Sequence, residues 1–230
     1  MGEAVLAPPS RGAARGAAGK ASLPFLVLKR QIMLGELEAG QVLTELDLAN
    51  RFSCSQGMVR EALLQLQEEG LVQRRGYRGT QVSECTTDEA VEMFHIRQAI
   101  ETRGIRRTMR HPSRNLVPDL HALMRQMEES AEGGDELELA ALDRDFHRRL
   151  FADAGLAALD PILHRCLVHN HRYKISRSLG PRDLRQTALR HEAIIAAIAR
   201  GDAGAAATAL QHHIATIVDL GPNIFPDIVP

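Results

Sequence analysis

Asp143 and His147 stand four residues apart in the run ELELAALDRDFHRRLF, so on a helix both project from one face. Leu139, Leu142, Phe146 and Leu150 lie beside that face and turn it inward, whereas Asp145 points away. His191 leads into the apolar run Ala193, Ile194, Ile195 and Ile198, and His213 sits between Leu210 and the pair Ile214 and Ile217. Each group belongs to a different segment, and each borders core positions. Three imidazoles and one carboxylate converging inside a helical bundle would suit a divalent transition metal such as zinc or nickel. A plainer reading stands beside it: a histidine near an apolar face also serves as a hydrogen-bonded core residue. With ten histidines in the chain, and His212 directly beside His213, a histidine count decides nothing by itself. His95, His111, His121 and His164 have no spaced partner, while His169-Asn170-His171 could face the same cavity and bring His169 or Asn170 near a ligand.

A second set of residues suits a polyanion. Arg74, Arg75 and Arg78 crowd a Gly-rich tip, Arg75-Gly76-Tyr77-Arg78-Gly79, between two short β-type runs, Leu71–Arg74 and Thr80–Ser83. Upstream, Ser55 can cap a helix through MVREALLQLQEEG, with Met58, Val59, Ala62, Leu63 and Leu66 at helical spacing and Gly70 as its stop. Thr44, with Asp47 three residues on, makes a capping-box-like start for a shorter helix, TELDLANRF, whose buried face is Leu43, Leu46 and Leu48. Before it, a helix carrying Leu26, Leu28, Ile32 and Leu34 is expected to run to near Gly40. Helix, short helix, tight turn, helix, hairpin is the order of a winged helix-turn-helix. Its third helix can enter a major groove while the wing reaches phosphate or minor groove.

The elements that must position these groups fall into segments. Residues 1–22, rich in Gly, Ala and Pro with Arg11, Arg15 and Lys20, are expected to be a disordered arm. Residues 23–83 form the winged head. Residues 84–220 read as all-helical, beginning with a Thr86/Glu89 capping box and a long helix whose stripe is Ala90, Val91, Phe94, Ile96, Ile100 and Ile105, ended by His111-Pro112. Further helices are expected at about 115–131, 136–153, 158–178, 182–200 and 203–219, punctuated by Gly133-Gly134, Gly155, Gly180-Pro181 and Gly201-Asp202. Residues 221–230 are a Pro-broken tail. The expected fold is mainly α: a winged helix-turn-helix, then an antiparallel bundle of six or seven helices.

Composition sets the bounds. The 230 residues are 44% hydrophobic and 25% charged, an ordinary globular balance. No apolar run is long enough for a membrane span, and the start lacks the apolar core of a signal peptide. Three scattered cysteines fit a reducing cytoplasm rather than a disulfide scaffold. A formal charge of −1 denies a whole-chain basic footprint, so nucleic-acid binding must rest on a local patch.

Taken together, the stretch from Leu43 through Val59-Arg60-Glu61-Ala62-Leu63 to Val72 resembles the GntR family of bacterial transcription regulators. The helical half is similar to the FCD effector domain of the FadR-type subfamily, through Arg97 to Glu101, Asp143-x-x-x-His147, His191-Glu192-Ala193-Ile194-Ile195, Gly201-Asp202 and His213-Ile214. The likeness covers about residues 25–218. It implies a cytoplasmic homodimer that binds palindromic operator DNA, as repressor or activator, and no membrane role. It also implies a metal held by Asp143, His147, His191 and His213, with open positions for a small organic acid effector. Arg97 is the foremost candidate for fixing the effector carboxylate, with Glu101, His169 and Asn170 beside it; a surface ion pair between Arg97 and Glu101 is the competing reading. DNA contacts carried over or read from the pattern are Thr44, Ser55, Gln56, Gly57, Arg60, Arg74, Arg75, Arg78 and Gly79. The chain departs from the family at Gln56, where Arg is usual, and at Gly57-Met58, where Thr-Pro is common. Gln suits adenine N6/N7 where Arg suits guanine, and losing Pro loosens the start of the recognition helix.

Three other readings fit parts of the sequence: a metal-dependent hydrolase with Glu192 as base, a purely structural metal, and a thiol sensor at Cys54. Against the first, adjacent helix positions diverge by about 100°, so Glu192 should point away from a metal at His191.

Overall fold

The computed structural model describes residues 22–76, 79–176 and 183–215. The expected arm (save Ser22), Tyr77 and Arg78 of the wing, and the tail lie outside the described residues. Helix α1, Leu23–Met33, starts where the Ser22 hydroxyl accepts from Phe25 N and Pro24 occupies a first-turn position whose N–H has no helical partner to lose. Phe25, Leu28, Ile32 and Met33 face the core, while Leu26 and Leu34 face out. The helix ends at Met33 rather than near Gly40. Gly35 takes a left-handed φ of +75°, and the chain folds back to bury Leu37.

The head follows the expected order with one addition. Helix α2, Glu45–Phe52, is capped by Thr44, whose hydroxyl accepts from Asp47 N at 3.2 Å. Helix α3, Gln56–Glu68, is capped by Ser55, which accepts from Met58 N at 3.2 Å. The hairpin β2 (Val72–Arg74) and β3 (Thr80–Val82) forms where predicted, with Gln73 opposite Gln81. A two-residue strand, β1 (Val42–Leu43), pairs with the other edge of β3 and gives the order β1-β3-β2. Two residues are too few to display a period of two, so this strand left no pattern to read. The buried face differs accordingly: Leu43 is buried from β1, Leu48 from α2, and Leu46 is exposed. Met58 is also exposed, in the outward first turn of α3, whereas Val59, Ala62, Leu63 and Leu66 are buried.

The second half is helical throughout its described residues. Its helices are α4 (Thr87–Thr108), α5 (Leu116–Glu132), α6 (Glu136–Ala152), α7 (Asp160–Ser176), α8 (Leu184–Leu189), α9 (Glu192–Ala199) and α10 (Ala203–Ala215). The Thr86/Glu89 capping box is present in full. The stripe that α4 buries is Ala90, Phe94, Arg97, Glu101, Gly104, Ile105 and Thr108. It holds the spacing of one helix face but includes a charged pair, and it leaves Ile96 exposed. The helix expected over 182–200 is two helices. At the break, His191 Nδ1 donates to the Ala188 carbonyl at 3.0 Å, so a side chain satisfies an acceptor at the end of α8.

Helix α5 packs along α6, α4 against α7 and α10, and α9 on α10. Phe94, Leu120, Met127, Leu142, Phe146, Ile194 and Leu210 are among the buried side chains of this core. Full burial of a Leu, Ile or Phe stabilises by about 1.5–3 kcal/mol, and apolar packing of this kind holds both halves together. Val168 of α7 is packed into the core of the head with Leu28, Leu66 and Leu71. Around that contact Glu69 accepts from Lys29 Nζ at 2.7 Å and lies 3.2 Å from His164 Nε2. The head is therefore seated on α7.

Candidate functional site

Four side chains from three parts of the bundle converge. Asp143 and His147 come from one face of α6, His191 from the α8–α9 break, and His213 from the last turns of α10. All four are buried, and one ligand atom from each lies within 4.8 Å of the others. His191 Nε2 is 3.2 Å from Asp143 Oδ1, and His147 Nε2 is 3.2 Å from His213 Nε2.

The partners of the opposite ring nitrogens fix what these atoms can do. His147 Nδ1 meets Glu101 Oε2 at 2.5 Å. A buried carboxylate accepts, so Nδ1 carries the proton and Nε2 presents a lone pair. His191 Nδ1 donates to a carbonyl, so its Nε2 is also a lone pair, without a hydrogen-bond partner among the described residues. Asp143 contributes only acceptors. Burial raises the Asp143 carboxyl, but the neighbouring His171 and His147, with the hydrogen bond of His171, hold it well below its usual range. A pocket of facing lone pairs and a carboxylate, dry and short of protons, repels itself unless a cation sits among them. The donor set, one hard oxygen and imidazole nitrogens, suits zinc or nickel.

Around the four runs a supporting layer that spacing did not reveal. Glu101 accepts from Arg97 Nε at 2.5 Å through one oxygen and from His147 through the other. Burial raises the Glu101 carboxyl, yet Arg97 and His147 bring it below the ordinary value, so it stays ionised. This is the carboxylate–histidine arrangement that orients a metal ligand. Each Glu101 oxygen thus holds a partner, and the Arg97–Glu101 pair is not on the surface: Arg97 is 0% exposed. Arg97 Nη1 and Nη2 have no hydrogen-bond partner among the described residues. A buried guanidinium with both terminal nitrogens unused is costly alone and complete once a carboxylate docks on its fork.

Helix α7 corrects one expectation. His169 does not face the cluster. His171, two residues on, does: its Nε2 lies 3.0 Å from Asp143 Oδ2, and its Nδ1 accepts from Arg144 Nη1 at 3.2 Å. Residues two apart on a helix diverge by about 200°, so only one of the pair can face inward. With its lone pair given to Arg144, His171 presents N–H to Asp143 and acts as a brace rather than a ligand. Burial first, then Arg144 and Arg97 against the pull of Asp143, keep its ring neutral down to about pH 3. Asn170 is buried, donates to the Ala90 carbonyl at 3.4 Å, and leaves Oδ1 without a partner among the described residues. Glu192 is exposed, away from the cluster.

On the head, Thr44 and Ser55 are spent as helix caps, while Gln56, Gly57 and Arg60 are exposed on the first turns of α3. Among the described residues a β-carbon on Gly57 would meet only Ser55 Oγ, at 3.8 Å, so none of them requires glycine there. Glu45 gathers two arginines: Arg60 Nη2 at 2.6 Å and Arg74 Nη2 at 3.6 Å. Sequence spacing gave no hint of this clasp, since the three residues come from three elements. Arg75 is exposed, and Gly79 turns the wing with φ +82°. Cys54 packs partly buried against the head core.

Comparison with known proteins completes the picture. The model of the gntR family of bacterial regulatory proteins matches residues 26–82, and that of the FCD domain matches residues 92–216. The HTH-type transcriptional repressor RspR of Escherichia coli K12 is 30% identical over 198 residues, covering 84% of this chain and 85% of that protein. A protein of Paenarthrobacter nicotinovorans described as "Probable D-xylose utilization operon transcriptional repressor" is 29% identical over 191 residues, 83% of each chain. Among solved structures, Escherichia coli McbR/YncC shares the fold with a TM-score of 0.70 at 20% identity, over 85% of this chain and 93% of that one. Lar, which controls expression of the Listeria monocytogenes agr system, aligns with a TM-score of 0.61 at 18% identity over 90% and 98%. The matched families and relatives are transcriptional regulators, not enzymes.

Proposed function

The chain belongs to the GntR family of bacterial DNA-binding regulators with an FCD domain, and we propose that a small carboxylate, taken up at a metal held by Asp143, His147, His191 and His213, sets its affinity for operator DNA. The observation that carries this reading is the buried set of acceptor atoms beside an arginine with two unused nitrogens. When bound, zinc or nickel supplies a Lewis-acidic point for one carboxylate oxygen. Arg97 supplies the fork that orients the same group, Glu101 keeps both Arg97 and His147 in place, and Asn170 Oδ1 offers an acceptor to a hydroxyl.

Residues 23–83 serve as the reading head and 84–220 as the sensing and dimerising part. One head reads one half-site, so a palindromic operator calls for a homodimer, with Gln56, Gly57 and Arg60 at the bases and Arg74, Arg75, Arg78 and Gly79 at the backbone. Such a regulator works in the cytoplasm, where the operator is. No helix among the described residues is long and apolar enough to cross a membrane. Helix α7 links the two parts, since His171 braces Asp143 while Val168 sits in the head core. A shift at Asp143 thus has a direct mechanical route to the seat of the head, and head spacing must match half-site spacing.

The test is thermal denaturation of the purified protein against a panel of small carboxylic acids, with and without chelator. Stabilisation by acids that disappears with chelator supports the reading. Metal present with no acid response would make the metal purely structural and overturn the effector assignment.

A further inference from the structure

A second polar cleft lies on the opposite face of α7. It occupies about 600 Å³ between head and body, lined by the end of α3, β2, the linker Ser83–Thr86, and by Arg165 and His169 of α7. We propose that this cleft is a second ligand site, for a small oxyanion, with Arg165 and His169 as its centre.

Two observations carry it. His169 is 3% exposed; the backbone of Glu69 is its one polar partner among the described residues, so at least one ring nitrogen is left without any. A buried imidazole nitrogen without a partner is costly, and here it borders a cleft large enough to supply one. The second observation is a cradle. Gly70, with φ +78°, lets α7 approach so closely that a β-carbon there would stand 2.6 Å from Arg165 Nε and 2.7 Å from His169 Nε2. The guanidinium and the imidazole thus converge over one bare stretch of backbone.

The charge balance selects an anion. Arg165 and Arg75 line the cleft without an ion-pair partner among the described residues, and Arg172 behind it is buried with Nη1 unpartnered. Two acids line the cleft: Glu84 is exposed, and Glu89 already accepts from Thr86 N at 2.8 Å and Thr86 Oγ1 at 3.1 Å. Burial first, then Arg172 and Arg165, push His169 down to about 4, so the ring is neutral at pH 7. One wall of the cleft is the head and the other is the body, so an occupant would tie them together. The site is separate from the metal cluster, which His171 faces from the other side of the helix.

The experiment uses the full chain at constant ionic strength and pH 7, titrated with inorganic phosphate or malonate and followed by thermal denaturation and by the imidazole NMR signals. The proposal expects saturable stabilisation over chloride in the wild type and also in H147A/H191A, which lacks the metal ligands. The His169 signals, identified by their loss in H169F, should move with the anion. Arg165→Gln should weaken binding at least tenfold; Arg165 is exposed, so folding is not at risk. The tighter of phosphate and malonate names the ligand as phosphorylated or as a carboxylic acid. No saturable response to either, an unmoved His169, full binding by Arg165→Gln, or loss of binding in H147A/H191A would each overturn it. The last outcome would return the anion response to the metal cluster.

Discussion

Glu101→Gln separates a metal centre from a cluster of core histidines. Glu101 has a side-chain exposure of 1% and joins Arg97 to His147 by two contacts of 2.5 Å. A glutamine keeps the shape and one acceptor. Its amide oxygen can serve Arg97, but its NH₂ then meets His147 Nδ1, which must give up its proton to accept. The proton moves to Nε2, where it removes the lone pair that faces Asp143 and His213. Loss of such a supporting carboxylate weakens metal binding by about 10–100-fold, or about 1.4–2.8 kcal/mol. Loss of the charge also leaves Arg97 buried and unneutralised, at a cost toward the lower end of the ~3–5 kcal/mol typical of a broken buried pair, since one hydrogen bond survives. Competition against a chromophoric chelator gives the affinity, and urea denaturation of the metal-free protein gives the stability. A folded variant with wild-type metal affinity would refute the tautomer argument and the role of His147 as ligand.

Other outcomes follow from the same geometry. Arg97→Lys keeps a positive charge beside Glu101 but loses the planar fork, so metal content should stay and the response to carboxylic acids should fall at least tenfold by thermal shift; an unchanged response would remove Arg97 from the effector site. Arg60→Ala should weaken operator binding by about 1–3 kcal/mol in a gel-shift assay without altering metal content, and retained binding would count against α3 as the reading helix. Gly104→Ala would set a methyl against the ring of Phe151, which is 3% exposed, and should cost about 1–3 kcal/mol in urea despite alanine's better helix propensity. Stability of the metal-free protein should fall on acidification. The Glu101 and Asp143 carboxyls lie below their ordinary values, so their contribution is present above the unfolded-state values and lost as pH falls through the folded ones. His169 and His171 act in the same direction: the unfolded chain takes up protons from about pH 6.5, whereas the folded rings resist to about 4 and about 3, and each unit is worth about 1.4 kcal/mol. Stability flat from pH 7 to 4 would contradict the burial of these groups.

What could be read from the chain was local. Thr44, Ser55 and the Thr86/Glu89 box declare helix starts because a cap needs only its next three residues. Asp143 and His147 share a face because a helix repeats. Convergence of His191 and His213 on them is tertiary, and only the family likeness pointed to it. The split at Arg190-His191 carries no glycine or proline, because a histidine ring replaces the usual stop. The partnership of Glu101 with His147 spans 46 residues, and a charged pair inside an apolar stripe reads as surface until its partner is seen. His169 and His171 look equivalent in sequence, and only the packing of α7 assigns one to each side. The clasp of Glu45 on Arg60 and Arg74 likewise depends on how α2, α3 and the wing meet.

The central claim is most directly tested by the metal content of the native protein, measured by mass spectrometry for the wild type and for His147→Ala/His191→Ala. The account predicts about one zinc or nickel ion per chain in the wild type and none in the folded double variant. Equal content in the two, or no metal in a wild type purified without chelator and supplied with zinc and nickel, would contradict it.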